Sequence, residues 1–305
     1  MKKILKALKF LVIVLVILFV FVKVGNKVGI TNLDISQYLT IFDDDHYASK
    51  YIYVFDREDK NVQYEKNSKS RAFPASLTKI MTTIVALEHI KDLSAIAPVD
   101  VDSYREMVAS NSSMAGFYGR EAVTYRDLLY GTILNSGGEA ANSLAIHVGG
   151  SVEEFVRMMN NKAAELGMED THFTNPEGLH NKDQYTTAYD IGLLLDYALE
   201  NGHFRAIFTK ESYLTTKTAD HPDGIMLRST VLSRVNELNQ KGFEILGGKS
   251  GTTYEAGECW VTVGIKDGRE YICIVMGAPL KDISNPERAQ IADTIKLYSQ
   301  IKTKQ

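Results

Sequence analysis

The sequence predicts an α+β domain: an antiparallel sheet built from both ends of the chain, flanked by helices, with a helical lobe inserted between its halves. Three observations predict it. Segments rich in β-branched and aromatic residues occur near residue 50 and again after residue 243. The long stretch between them carries apolar residues at helical spacing. A last helical segment follows the second group of strands, so the order is strands, helices, strands, helix.

Each element has a local reason. Tyr51–Phe55 and Val62–Glu65 read as strands joined by a turn at Arg57-Glu-Asp-Lys60. Pro74 and Ser76 open a helix with Leu77, Ile80, Met81, Ile84 and Leu87 on one face. Thr124-x-x-Asp127, Ser151-x-x-Glu154 and Thr187-x-x-Asp190 resemble capping boxes, which start helices. The second of these helices should bury Phe155, Val156 and Met159, and the third Ile191, Leu194 and Leu195. Strands return with Phe243–Leu246, which leads into Gly247-Gly248. Trp260–Ile265 and Glu270–Met276 flank Asp267-Gly268, a strong hairpin signal. Pro286 should start a final helix with Ile291, Ile295 and Tyr298 on one face.

The hairpin also speaks to the two cysteines. Pairing Lys266 with Arg269 sets Cys273 opposite Thr262 and Cys259 opposite Met276. That odd separation turns the two thiols to opposite faces of the sheet. Buried, unbridged thiols are expected.

Composition bounds the rest. The chain has 305 residues, 45% of them hydrophobic, enough for a sizeable core. Its formal charge of -4 argues against a nucleic-acid binder, which should show a basic excess. Lys2, Lys3, Lys6 and Lys9 precede the apolar run Phe10–Val22, and Lys23 and Lys27 follow it. The run spans a membrane if Ile4 and Leu5 join it and Lys6 and Lys9 snorkel. No Ala-x-Ala-like cleavage site follows, which favours an uncleaved signal anchor over a secreted form. The excess of lysine before the run places the N-terminus in the cytoplasm. Residues 1–28 are therefore read as the anchor, 29–46 as a stalk, and 47–305 as the globular domain, with its helical lobe at about 91–205.

Three short motifs carry chemistry. Ser76-Leu-Thr-Lys79 puts a hydroxyl and an amine on one face of a helix. A lysine with a lowered pKa can take the proton that makes serine nucleophilic. Ser299-x-x-Lys302 has the same spacing in a polar tail, so the spacing alone decides nothing. Lys249-Ser250-Gly251 at a strand edge suits a carboxylate, with charge, a hydroxyl and room for close backbone approach. Ser136-Gly137-Gly138 lies between two helical stretches.

Together and in order these motifs resemble those of the serine penicillin-recognising enzymes. The longer segments resemble the low-molecular-weight penicillin-binding D-alanyl-D-alanine carboxypeptidases in particular. They are Arg71–Thr82, Val123–Gly131, Glu165–Met168, Thr171–Leu179, Thr187–Asp190, Gly247–Thr252 and Ala256–Cys259. The resemblance implies a β-lactamase/transpeptidase-like fold. It implies Ser76 as nucleophile, Lys79 as general base and Ser136 as proton relay. Lys249 and Ser250 would hold the substrate carboxylate beside Gly251, and the N–H groups of Ser76 and Thr252 would form the oxyanion hole. The implied substrate is a peptidoglycan stem peptide ending in D-Ala-D-Ala, with β-lactams as covalent inhibitors and no cofactor.

The chain departs from the family pattern in places. Gly138 stands where the family has asparagine, and restoring that asparagine is expected to raise activity. Glu139 replaces the usual aspartate. Asn142 could compensate only if the loop folds back. Gln184 and Thr186 stand where histidine and serine are expected, lining the helical lobe. Family members often carry a second β-rich domain and a C-terminal amphipathic anchor. Here only Lys302–Gln305 follow the last predicted helix, which moves the expected anchor to the N-terminus. Two other readings stay open. One is a non-catalytic peptidoglycan- or β-lactam-binding homologue. The other is a class A-like β-lactamase, which needs a Glu-x-x-Leu-Asn loop, whereas Glu237-Leu-Asn239 has the wrong spacing and place. A zinc peptidase is disfavoured because the seven histidines form no ligand pair.

Overall fold

The structure is a computed structural model that describes residues 46–235, 238 and 240–302. The expected anchor, the stalk up to residue 45, and Glu237 and Asn239 lie outside the described residues.

Both ends of the described chain build one sheet. The N-terminal hairpin β1 (Tyr51–Asp56) and β2 (Val62–Lys66) joins three long C-terminal strands, β5 (Glu244–Thr253), β6 (Gly257–Lys266) and β7 (Arg269–Ala278). The order is β2-β1-β7-β6-β5, antiparallel throughout. Strand β5, which carries Lys249-Ser250-Gly251, is therefore at one edge. A separate ribbon pairs β3 (Ser212–Leu214) with β4 (Met226–Arg228).

The helical lobe lies between β2 and β5 in sequence. It begins with α1 (Thr78–His89) and continues through α2 (Val101–Ala109), α3 (Tyr125–Ile133), α4 (Gly138–Gly149) and α5 (Val152–Glu165). Helices α6 (Ala188–Ala198) and α7 (Gly202–Phe208) complete the lobe. A short turn, α8 (Leu232–Val235), precedes β5, and α9 (Ala289–Gln300) closes the fold. Thr124, Ser151 and Thr187 each cap a helix by accepting from the N–H three residues on, as the sequence predicts. Phe155 and Met159 are buried, while Val156 is only half-buried.

Two apolar clusters sandwich the sheet. Tyr53, Phe55, Val261, Val263, Ile272 and Ile274 pack against the helical lobe. Ile52, Val54, Trp260, Tyr271 and Val275 pack with Leu297 and Tyr298 of α9 on the other side. Alternation along each strand supplies both faces. The cysteines divide the same way, Cys259 into the first cluster and Cys273 into the second, both free and buried. The expected register holds from Lys266↔Arg269 to Thr262↔Cys273. A bulge between Glu258 and Trp260 then displaces Cys259 from the place opposite Met276.

Helix α1 differs from its reading as a one-faced helix. Every residue from Thr78 to Leu87 is buried, because α3, α4, α5, α6 and α7 surround it. The final helix starts at Ala289 rather than Pro286, since Arg288 turns the chain in with φ +60.

Candidate active site

The nucleophile segment starts from a strained residue. Ala75 has φ +46, a conformation that costs about 1–2 kcal/mol for a residue with a Cβ. It turns the chain into the tight Ala75–Leu77 turn that runs directly into α1. Thr78 Oγ1 donates to the Ala75 carbonyl at 2.8 Å and fixes that turn. Two glycines press on it. At Gly178, φ +86, a Cβ would stand 2.1 Å from the Ala75 oxygen. At Gly251 on β5 a Cβ would stand 2.9 Å from the Ser76 nitrogen. Only glycine lets both backbones approach the nucleophile so closely.

Ser76 then faces Lys79 across one helical turn, Nζ 3.2 Å from Oγ. Lys79 Nζ also donates to the carbonyl of Glu177. Burial pulls the Lys79 pKa down to about 8, with the carboxylates of Glu177 and Glu139 opposing it. That value leaves a usable fraction of free amine near neutral pH.

A second hydroxyl–amine pair stands beside the first. Ser136 sits in the loop between α3 and α4 with φ +61, a second left-handed residue at the site. Lys249 Nζ reaches it from β5 at 2.9 Å and also donates to the Ser250 carbonyl at 2.7 Å. Lys249 is fully buried, and burial together with the charge of Lys79 holds its pKa well below the ordinary lysine value. Above them, Ser250 Oγ lies 2.8 Å from Thr230 Oγ1, and the Thr252 side chain is exposed. Both amines and Ser136 are thus buried, Ser76 and Ser250 half-buried, and Thr252 exposed. The sequence reading assigns Lys249 to a substrate carboxylate; in the structure its Nζ meets Ser136 Oγ.

The four groups singled out from the sequence therefore converge. Lys79 meets Ser76, Lys249 meets Ser136, and the charge of Lys79 acts on Lys249. The family model described as D-alanyl-D-alanine carboxypeptidase matches residues 39–280. The chain belongs to the D-alanyl-D-alanine carboxypeptidase family. The Bacillus subtilis D-alanyl-D-alanine carboxypeptidase DacF is 31% identical over 259 residues, covering 84% of this chain and 64% of the relative. A Streptomyces D-alanyl-D-alanine carboxypeptidase is 32% identical over 243 residues, covering 77% of this chain and 81% of its own. Among solved structures, a Streptomyces DD-transpeptidase superposes with a TM-score of 0.73 at 28% identity, covering 83% of this chain and 97% of that one.

This member of the carboxypeptidase family has its own serine loop. Gly138 opens α4, and its N–H donates to the Ser113 carbonyl at 2.8 Å. A Cβ there would lie 2.6 Å from Met107 Sδ and 3.0 Å from Ser112 Oγ, so those side chains close on the place of the missing asparagine. Glu139 is buried and staples the 115–116 backbone, its Oε1 accepting from Ala115 N at 2.7 Å and Gly116 N at 3.0 Å. Burial pushes its pKa up. The loop does not fold back at Asn142. Helix α4 sets that residue one turn beyond Gly138 on the same face, buried, with Oδ1 unpartnered.

Gln184 and Thr186 act as braces. Gln184 Oε1 accepts from Thr174 N at 2.9 Å and Asn175 N at 3.2 Å, and Thr186 exchanges backbone bonds with Ala72 just ahead of the nucleophile. Sequence reasoning missed Glu177, Thr230 and Met107. Thr230 and Met107 lie outside every motif, and Glu177 lies within the family-like segment Thr171–Leu179 without a role assigned to it.

Proposed function

We propose that the protein is a serine D-alanyl-D-alanine carboxypeptidase that trims peptidoglycan stem peptides. The observation that carries this reading is the Ser76–Lys79 contact of 3.2 Å, with Lys79 buried and drawn down to about 8. Ser76 Oγ attacks the carbonyl between the two D-alanines as Lys79 Nζ takes its proton. The Oγ–C bond forms, the C–N bond breaks, and the proton leaves on the amine of the departing D-alanine. Water then cleaves the acyl-enzyme. The backbone N–H groups of Ser76 and Thr252 stabilise the oxyanion, at about 3 kcal/mol per donor. The Ser136–Lys249 pair relays the proton toward the leaving amine, and the hydroxyls of Ser250 and Thr252 hold the terminal carboxylate. A β-lactam enters as a mimic of the acyl donor and stays attached to Ser76.

The lysine pattern around Phe10–Val22 supports a further part of the proposal. Residues 1–28 anchor the enzyme in the membrane, with the catalytic domain outside the cytoplasm.

The test is D-alanine release from a peptide ending in D-Ala-D-Ala. The unmodified enzyme releases it, and Ser76→Ala lowers the rate by at least about a thousandfold. Undiminished release in that variant rules out Ser76 as nucleophile.

A further inference from the structure

Ser250 carries a hydroxyl that its own side chain does little to aim, because serine has no second branch on Cβ to restrict χ1. One neighbour stands against it. Thr230 Oγ1 lies 2.8 Å from Ser250 Oγ, and among the described residues neither hydroxyl has another hydrogen-bond partner. Thr230 is twenty residues away in the chain, and three sets of contacts bring it there. Its N–H donates to the Leu134 carbonyl at 3.1 Å, on the loop that carries Ser136. Ser229 Oγ accepts from Val231 N at 3.3 Å and Leu232 N at 3.1 Å, which fixes the turn into α8. Buried Val231 then packs on β5, its Cγ1 2.7 Å from where a Cβ on Gly248 would stand. Across the site, Lys249 Nζ joins Ser136 Oγ to the Ser250 carbonyl. The serine loop, the segment after β4 and strand β5 thus close a ring around the two hydroxyls. None of these contacts uses the Thr230 side chain, so the fold does not depend on its hydroxyl.

A hydroxyl has one proton to donate, and a carboxylate only accepts. Ser250 can donate to a carboxylate only when its proton is not spent on Thr230, so Thr230 must then be the donor of the pair. Thr230 suits that part, being stiff at χ1 and held by its backbone on both sides. We propose that Thr230 is a positioning residue for the terminal carboxylate of the substrate: its hydroxyl donates to Ser250 Oγ and turns the Ser250 proton toward the carboxylate. The inference rests on Ser250 holding that carboxylate, as in the proposed function. Each bond in the chain from Thr230 to Ser250 to carboxylate polarises the next. Thr230 acts through Ser250 alone.

The experiment compares acylation of Ser76 by benzylpenicillin, which bears a carboxylate, with acylation by its methyl ester, which does not, both followed by intact-protein mass. The unmodified enzyme reacts faster with the acid. Thr230→Val keeps the shape of the side chain and removes the hydroxyl. It slows the acid about fivefold to tenfold and leaves the ester rate within about twofold. Thr230→Ser keeps the acid rate within about twofold. In a Ser250→Ala background Thr230→Val costs nothing further, as a residue acting through Ser250 requires. Equal slowing of acid and ester overturns the inference, because a packing defect does not distinguish them. So does an unchanged acid rate in Thr230→Val, or a full additional loss on top of Ser250→Ala. An unmodified enzyme that never acquires the adduct overturns the functional reading, and one that reacts equally with acid and ester overturns the carboxylate site; the inference falls with either. Should Thr230→Val not fold, Thr230→Ala carries the same comparison with the same expected and contrary results.

Discussion

At position 138 one missing side chain reshapes the serine loop. From the sequence, an asparagine restored there should raise activity. The structure sets a packing cost against that expectation, because a Cβ would lie 2.6 Å from Met107 Sδ and Met107 is fully buried. Overpacking of this kind costs about 1–3 kcal/mol. Gly138→Asn should therefore lower the melting temperature without raising D-alanine release, and adding Met107→Ala should recover part of the loss. Calorimetry and a release assay check both, and a more active single variant contradicts the packing account. Ser76, Lys79, Ser136 and Lys249 were legible in the sequence because each lies in a contiguous motif with its chemistry on display. Met107, Glu177 and Thr230 were not, since they enter the site only through the packing of α2, the loop ahead of α6, and the segment after β4.

Among the elements, the β6–β7 hairpin was the most legible. Asp267 and Gly268 both have positive φ, as its tight turn requires, so the register follows from the turn outward. The bulge at Glu258 carries no turn signal and escaped. Helix α3 shows how a cap can do more than start a helix. Asp127 accepts from Thr124 N at 2.9 Å, completing a capping box, and also from Tyr213 Oη and Thr216 N at 3.0 Å each. It thus ties the lobe to the β3–β4 ribbon, whose far end leads to Thr230. Asp127→Ala should destabilise the fold by about 2–4 kcal/mol, from several buried donors left unsatisfied. Urea unfolding measures this, and a loss no larger than the roughly 1 kcal/mol of a lone cap contradicts the tie.

For the molecule as a whole, the sequence order of strands, helices, strands and helix already pointed to a sheet shared by both ends. It did not reveal that β5 lies outermost in the sheet, packed against the Ala75–Leu77 turn. Nor did it reveal that α1 is central, because a helix wrapped by five others shows an apolar stripe no different from that of a surface helix. Position in the cell belongs to this scale too. If residues 1–28 anchor the protein, the full chain stays with membranes through salt and alkaline washes, and a chain beginning at residue 29 is released. Release of the full chain by alkali contradicts the anchor.

The central claim is that Ser76 is acylated at a cleft shared with Lys79, Ser136 and Lys249. The most direct measurement is the mass of the intact protein after brief exposure to benzylpenicillin, followed by peptide mapping. The account predicts one penicilloyl group per chain, on the peptide containing Ser76 and absent from Ser76→Ala. An unmodified mass, or an adduct on any other residue, contradicts it.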